Sequence, residues 1–245
     1  MPNKVINSQN AIGFTLMETI VSMAIFAILL TLVFANFRQS EKQDDLSQSA
    51  VELAGNLRKV QNLGMSGQVT KYCKTGSEEK LNHACINHSE CGDNGKCDFG
   101  VPKGGYGIHF DQEGELKNYT LFIDLSGDLK YDTNEVEDDV LPGGKDYQLK
   151  GKVVVLDYDL RCAFQVPSSW GCPAASDNLD VLFMPPKPTP WATTYNATFS
   201  GTYEEEKVYI LLKHPEINKC ARVSVNGFSG DVSVEPDDDC ELTES

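Results

Sequence analysis

The chain has 245 residues, and 21 Lys and Arg against 36 Asp and Glu give it a formal charge of −15. A content of 40% hydrophobic and 23% charged residues belongs to a folded protein and excludes a wholly disordered chain or a collagen. With a pI near 4.6, the chain lacks the excess of bases that nucleic acid or an anionic lipid surface demands.

Residues 1–13 form a polar lead whose one charge is Lys4. From Thr19 to Phe37 run 19 residues without a charge, a proline or a glycine. As a helix they span about 28 Å, close to one hydrocarbon core, so the run predicts a transmembrane helix over 14–37. A buried helix of a soluble protein is usually shorter. A secretory signal peptide has a shorter apolar run closed by a small-residue cleavage site. Here the exit reads Ala35-Asn36-Phe37-Arg38, and the small residue, Gly13, stands before the run instead. Glu18 lies just inside the apolar segment. An ionisable group there is costly and points to function, with an acid snorkelling to the interface as the plainer alternative.

The string Gly13-Phe14-Thr15-Leu16-Met17-Glu18, followed by the apolar helix, resembles the type IV prepilin leader shared by type IV pilins and type II secretion pseudopilins. The resemblance implies cleavage by a prepilin peptidase between Gly13 and Phe14, on the cytoplasmic side. N-methylation of Phe14 would follow, on a mature chain of 232 residues. It further implies an inner-membrane protein, its amino end cytoplasmic and its head outside, that later joins a pilus or pseudopilus. For Glu18 the physics agrees: a carboxylate inside a helix bundle needs a cation. The freed α-amino group of Phe14 on a neighbouring subunit would supply one and fix the axial height of each subunit. The leader departs from the family in having no base beside Gly13 and no proline in the helix. Arg38 and Lys42, on the expected outer side, also run against the usual bias of basic residues to the inside.

Over residues 38–64, Leu46, Ala50, Leu53, Leu57 and Val60 recur at spacings of 4, 3, 4 and 3, which predicts an amphipathic continuation of the same helix to about residue 63. Gly64 and Gly67 suit its end. The stripe reads as the face on which a globular head packs.

Residues 65–245 read as that head, with short apolar runs broken by turn residues. Strands are predicted at 107–110, 119–124, 151–155, 179–184, 207–213, 221–225 and 231–234, the last two forming a hairpin through Asn226-Gly227 and Gly230. The expected class is α+β, with the pilin-like arrangement of a long N-terminal helix, its first half transmembrane, on an antiparallel β-rich head. Gly105-Tyr-Gly-Ile-His-Phe110, Leu121-Phe-Ile-Asp124 and Val181-Leu-Phe-Met-Pro-Pro186 are similar to the minor pseudopilin and FimT-like branch.

All eight cysteines lie in the head: Cys73, Cys85, Cys91, Cys97, Cys162, Cys172, Cys220 and Cys240. The expected topology puts them where disulfides persist. The first four fall in a polar stretch, 73–97, that reads as a disulfide-stapled insertion. A zinc site, with His83 or His88 joining, fits their x11, x5 and x5 spacings poorly. The pairing is open, with Cys162–Cys172 and Cys220–Cys240 as candidate local pairs.

Between Asp124 and Glu135, the side chains of Asp124, Ser126, Asp128, Asp132 and Glu135 occupy loop positions 1, 3, 5, 9 and 12. That spacing resembles a calcium loop, although the sixth position is Leu129 and no helix pair flanks it. A solvated acidic turn is the alternative. Asn87, Asn118 and Asn196 match the glycosylation acceptor pattern, which reads as chance because the leader resemblance implies a prokaryotic chain. Residues 185–190 read as a stiff connector. The tail from Glu235 to Ser245, with six acids, reads as a solvated terminus.

No nucleophile elbow, H-E-x-x-H or P-loop occurs, and His83, His88, His109 and His214 are scattered. The resemblance of the leader implies a structural subunit, a minor pilin or minor pseudopilin, and the lack of these motifs gives no support to an enzyme. Its expected partners are other pilin or pseudopilin subunits, the prepilin peptidase and the inner membrane, with no nucleic acid. The alternatives are a filament-borne binding module, such as an adhesin or DNA-uptake receptor, and a membrane-tethered enzyme.

Overall fold

The structure, a computed structural model, describes residues 15–77, 81–110, 117–131, 138–141, 147–161, 178–186, 190–194, 197–200, 207–217, 219–227, 229–237 and 240. One helix, α1, runs Leu16–Ser66. It contains no proline, so nothing interrupts its hydrogen-bond ladder. The helix passes the expected end near residue 63 because the stop signal is Gly67, not Gly64. Gly67 takes a φ of 59°, its N–H donates to the Gly64 carbonyl, and the Gln68 N–H donates to the Leu63 carbonyl. Those two bonds form a Schellman cap, which needs a left-handed residue just past the helix.

The chain divides into two compact units, Met1–Glu41 and Lys42–Ser245. In the first, every described side chain from Thr15 to Phe34 is exposed. This stretch is apolar all round, the pattern of a helix made for lipid or for a bundle of like helices.

The second unit holds the rest of α1 and three antiparallel sheets. β1 (Thr70–Thr75) and β2 (Lys96–Gly100) form a two-stranded hairpin. A seven-stranded sheet has the order β10-β9-β8-β3-β4-β5, with β6 also beside β4. Its strands are β3 (Gly105–Phe110), β4 (Asn118–Asp124), β5 (Asp138–Val140), β6 (Tyr147–Gln148), β8 (Leu179–Phe183), β9 (Pro190–Thr194) and β10 (Ala197–Ser200). A four-stranded sheet has the order β13-β12-β11-β7, from β7 (Val154–Arg161), β11 (Lys207–His214), β12 (Lys219–Asn226) and β13 (Val232–Asp237). The layout is α+β and pilin-like.

Strand period and helix period meet in one core. Leu46, Ala50, Leu53, Leu57 and Val60 of α1 are buried with Tyr106, Ile108 and Phe110 of β3 and with Val208, Ile210 and Leu212 of β11. Alternate residues of each strand therefore face the helix. Polar contacts fix the last turns of the helix to the head. Asn56 donates to the Tyr119 hydroxyl at 2.8 Å, Arg58 to the Val232 carbonyl at 2.7 Å and Gln61 to the Gly230 carbonyl at 2.9 Å. Glu216 pairs with Lys152 and Lys42, and those two ammonium groups, Lys152 first, hold its carboxyl down at about 2.

Several sequence expectations need correction. The strand expected at 151–155 begins instead at Val154, because Gly151 takes a left-handed φ of 57° in a turn. Both strands of the cysteine-rich hairpin, and β5, β6, β9 and β10, were not foreseen, being short, polar or rich in threonine. The tail is not wholly a free terminus, because β13 extends through Glu235 and Pro236 to Asp237.

Two glycines of α1 make a test of the packing. At Gly64 an added Cβ meets the Phe183 backbone oxygen at 2.6 Å, whereas at Gly55 nothing lies within 4 Å. Alanine gains up to about 1 kcal/mol of helix propensity at either site. At 64 the clash is with backbone that cannot swing aside, at a cost of about 1–3 kcal/mol. Gly64→Ala is expected to lower the thermal midpoint of the purified full chain by several degrees, and Gly55→Ala to raise it. A rise at position 64 would show that the helix end does not sit close on β8.

Candidate functional site: the first turns of the helix

Cleavage residues Gly13 and Phe14 lie outside the described residues; Glu18 lies inside them. Thr15 begins the helix: its hydroxyl oxygen accepts the Glu18 backbone N–H at 3.2 Å. Thr15 is thus the N-cap and Glu18 the third helical residue, the spacing of a capping box. An acid in this first turn also meets the positive end of the helix dipole. The Glu18 carboxylate is exposed in the single chain.

The other polar groups of this segment are satisfied within it. Thr19 donates to the Thr15 carbonyl at 3.3 Å, Ser22 to the Glu18 carbonyl at 2.7 Å and Thr31 to the Ile28 carbonyl at 2.7 Å. Such back-bonding hides hydroxyls from lipid. Glu18 differs, since a carboxylate has no donor to offer and wants a cation or several N–H groups. The 16–66 helix is long and apolar enough to cross a membrane, with a mean hydropathy of 2.4 over its best window.

The cysteine-rich stretch holds two disulfides. Cys73 is joined to Cys91 and Cys85 to Cys97, and a third bridge joins Cys220 to Cys240. Cys73 and Cys97 face each other across the hairpin, so the two bridges start from opposite strands at one level. Sulfurs of Cys73, Cys85 and Cys91 lie within 4.8 Å of one another. Each is in a disulfide, which leaves no thiolate to bind zinc. His88 is also taken: its Nδ1 accepts the Cys97 N–H at 2.9 Å. Cys162 and Cys172 lie outside the described residues.

Of the acidic loop, Asp124, Ser126 and Asp128 are described and Asp132 and Glu135 are not. Asp124 is buried. Its Oδ1 accepts the Gly127 N–H at 2.6 Å and the Ser126 hydroxyl at 3.1 Å, while its Oδ2 accepts the Leu129 N–H at 2.9 Å. Burial pushes its carboxyl above the ordinary range, and those N–H bonds pull the other way. Asp124 is therefore the staple of the turn after β4, which Leu129 enters with a left-handed φ of 67°.

A buried pair was missed in the sequence. His109 of β3 and Asp180 of β8 are register partners, with Nδ1 and Oδ1 2.6 Å apart and both residues buried. The other Asp180 oxygen accepts the Tyr131 N–H at 3.2 Å, and the Tyr131 ring lies 4.6 Å from the His109 ring. His109 Nε2 is buried without a hydrogen-bond partner. A histidine held by a carboxylate resembles part of a catalytic triad. Its free nitrogen is sealed from solvent, however, so the arrangement is one for anchoring the 125–131 segment to the sheet.

Residues 9–34 match the prokaryotic N-terminal methylation motif. No curated protein and no solved structure matches the chain. The motif supports a precursor of the type IV pilin and pseudopilin kind, anchored in a membrane by its apolar helix. It implies assembly with other pilin subunits and processing by a prepilin peptidase. It points to a structural protein rather than an enzyme.

Proposed function

We propose that the chain is a minor subunit of a type IV pilus or type II secretion pseudopilus, of the minor pseudopilin and FimT-like branch. It waits in the inner membrane with its amino end cytoplasmic and its head outside. The prepilin peptidase cuts between Gly13 and Phe14, Phe14 is N-methylated, and the apolar helix carries the subunit into the filament. Glu18 takes the Phe14 ammonium of a neighbour as its cation and so sets axial height.

The observation that carries this reading is the methylation motif at 9–34 lying on the start of an unbroken helix whose third residue is Glu18. The three disulfides support an oxidising compartment for the head. Its long cysteine-stapled insertion favours a specialised over a bulk subunit. Mass spectrometry of the chain purified from its native membrane tests the processing step. The expected amino-terminal peptide begins at Phe14 and carries one methyl group. A peptide beginning at Met1 with all 13 leading residues attached would overturn the proposal.

A further inference from the structure

The hairpin sulfurs have more than one partner within reach. Cys73 is bonded to Cys91 and Cys85 to Cys97, yet the Sγ atoms of Cys73, Cys85 and Cys91 all lie within 4.8 Å of one another. Cys85 therefore stands beside a bridge to which it does not belong. Cys73 and Cys97 are register partners on β1 and β2. Neither spends its N–H on the other: Cys73 donates to the His83 carbonyl and Cys97 to His88 Nδ1, both at 2.9 Å. That is the non-hydrogen-bonded kind of antiparallel pair, whose Cα atoms are about 4.5 Å apart. Disulfides join Cα atoms roughly 4.4–6.8 Å apart, so the backbone as it stands admits a direct Cys73–Cys97 bridge.

The two existing bridges differ in access. Cys85 and Cys97 are each 7% exposed, while Cys73 and Cys91 are at 0%. A thiol from solution meets the outer bridge, Cys85–Cys97, and reaches the inner one only through Cys85.

We infer that the hairpin is a thiol–disulfide exchange site, at which a small external thiol switches the two bridges between two pairings. The external thiolate attacks Cys97 Sγ, forms a mixed disulfide there and expels the Cys85 thiolate. Cys85 attacks Cys91 Sγ, and the Cys73 thiolate leaves. Cys73 then attacks Cys97 across the strand pair, and the external thiol departs as it came. Three S–S bonds break and three form, so no oxidant or reductant is consumed. In the first pairing the 85–91 loop, with its short 3-10 helix at His88–Cys91, is tied to β2 at one end and to β1 at the other. In the second the strands are tied to each other and the loop closes on itself. Exchange thus frees the loop from its covalent hold on the strands without opening the hairpin. The site goes beyond the filament reading and does not depend on it.

The test incubates the full chain, purified in detergent, with reduced glutathione, blocks it with N-ethylmaleimide in guanidinium and cuts after lysine. The starting pairing ties peptides 72–74, 81–96 and 97–103 into one species, because Cys85 and Cys91 share the middle peptide. The exchanged pairing yields two species, 72–74 joined to 97–103 and 81–96 closed on itself. The expected result is conversion of the single species into a mixture of both patterns. Its rate should rise about tenfold per pH unit while the pH stays below the ordinary thiol pKa of about 8.5, as the thiolate fraction does. Persistence of the three-peptide species alone, or reduction to free thiols without the two-species pattern, would overturn the switch. Cys97→Ala, which leaves Cys85 free beside the inner bridge, tests the relay with no thiol added. N-ethylmaleimide is then expected on Cys73 as well as on Cys85, and label confined to Cys85 would overturn the exchange.

Discussion

Glu18→Ala is expected to leave the chain in the membrane at its usual level while its recovery in sheared filaments falls about a hundredfold or more. The two outcomes separate because they depend on different energies. Insertion follows total apolarity, and removing a carboxylate only favours it, since a charged side chain costs about 2.5–3.5 kcal/mol at the centre of a membrane helix and less near its end, where Glu18 lies. Assembly follows the pairing of that carboxylate with a cation in a surrounding of low dielectric. Deleting one member of such a pair leaves the other charge buried and alone, at about 3–5 kcal/mol, and each 1.4 kcal/mol or so is tenfold in an equilibrium. Thr15 caps the helix through its own hydroxyl, so the alanine variant keeps the first turn. Glu18→Gln is expected to fail like alanine, because the amide restores size and hydrogen bonding but not charge. Normal incorporation of either variant would remove the registry role proposed for Glu18.

What the sequence made legible tracks what depends on neighbours along the chain. The helix and its buried face are written in the 3-and-4 spacing of Leu46, Ala50, Leu53, Leu57 and Val60, and all five are buried. β3, β4, β8, β11 and β12 announce themselves through apolar runs, because a strand with buried side chains on both faces has little room for polar residues. The hairpin of β1 and β2 carries no such signal: TKYCKT and KCDFG are polar strands, ordered by cross-links between Cys73, Cys85, Cys91 and Cys97. Spacing identified them as cysteines of one insertion but not which joined which. The spacing of Asp124, Ser126, Asp128, Asp132 and Glu135 allows either a calcium loop or an acidic turn, and in its described half Asp124 binds the backbone of its own turn, a contact that spacing alone does not reveal. The His109–Asp180 pair was least legible, since its members lie 71 residues apart and meet only through strand register. The sole local hint was a histidine and an aspartate inside otherwise apolar strands, GYGIHF and LDVLF, where each is a polar residue in a run that is buried throughout.

That pair yields a second large effect. Asp180→Ala is expected to destabilise the head by about 2–4 kcal/mol, because it takes the acceptor from the buried His109 ring nitrogen and from the part-buried Tyr131 N–H. Asp180→Asn is expected to cost about half as much. Its single oxygen can keep the Tyr131 N–H while its amide donates to His109 Nδ1, which obliges the histidine proton to move to Nε2. That nitrogen has no partner, so the rescue is incomplete. Imidazole ¹⁵N shifts report the tautomer directly, and an unchanged Nδ1–H form in the asparagine variant would refute the assignment. The pH dependence provides a separate check. Burial pushes the Asp180 carboxyl above its ordinary value, against the pull of the His109 bond. A carboxyl raised by folding favours the folded state when protonated, so its contribution is greatest below about pH 4 and is lost as pH rises through the folded value. The stability gap between the native chain and Asp180→Asn should therefore narrow from acid toward neutral pH in denaturant titrations. A gap that widens would mean that the His109 contact outweighs burial and holds the carboxylate ionised.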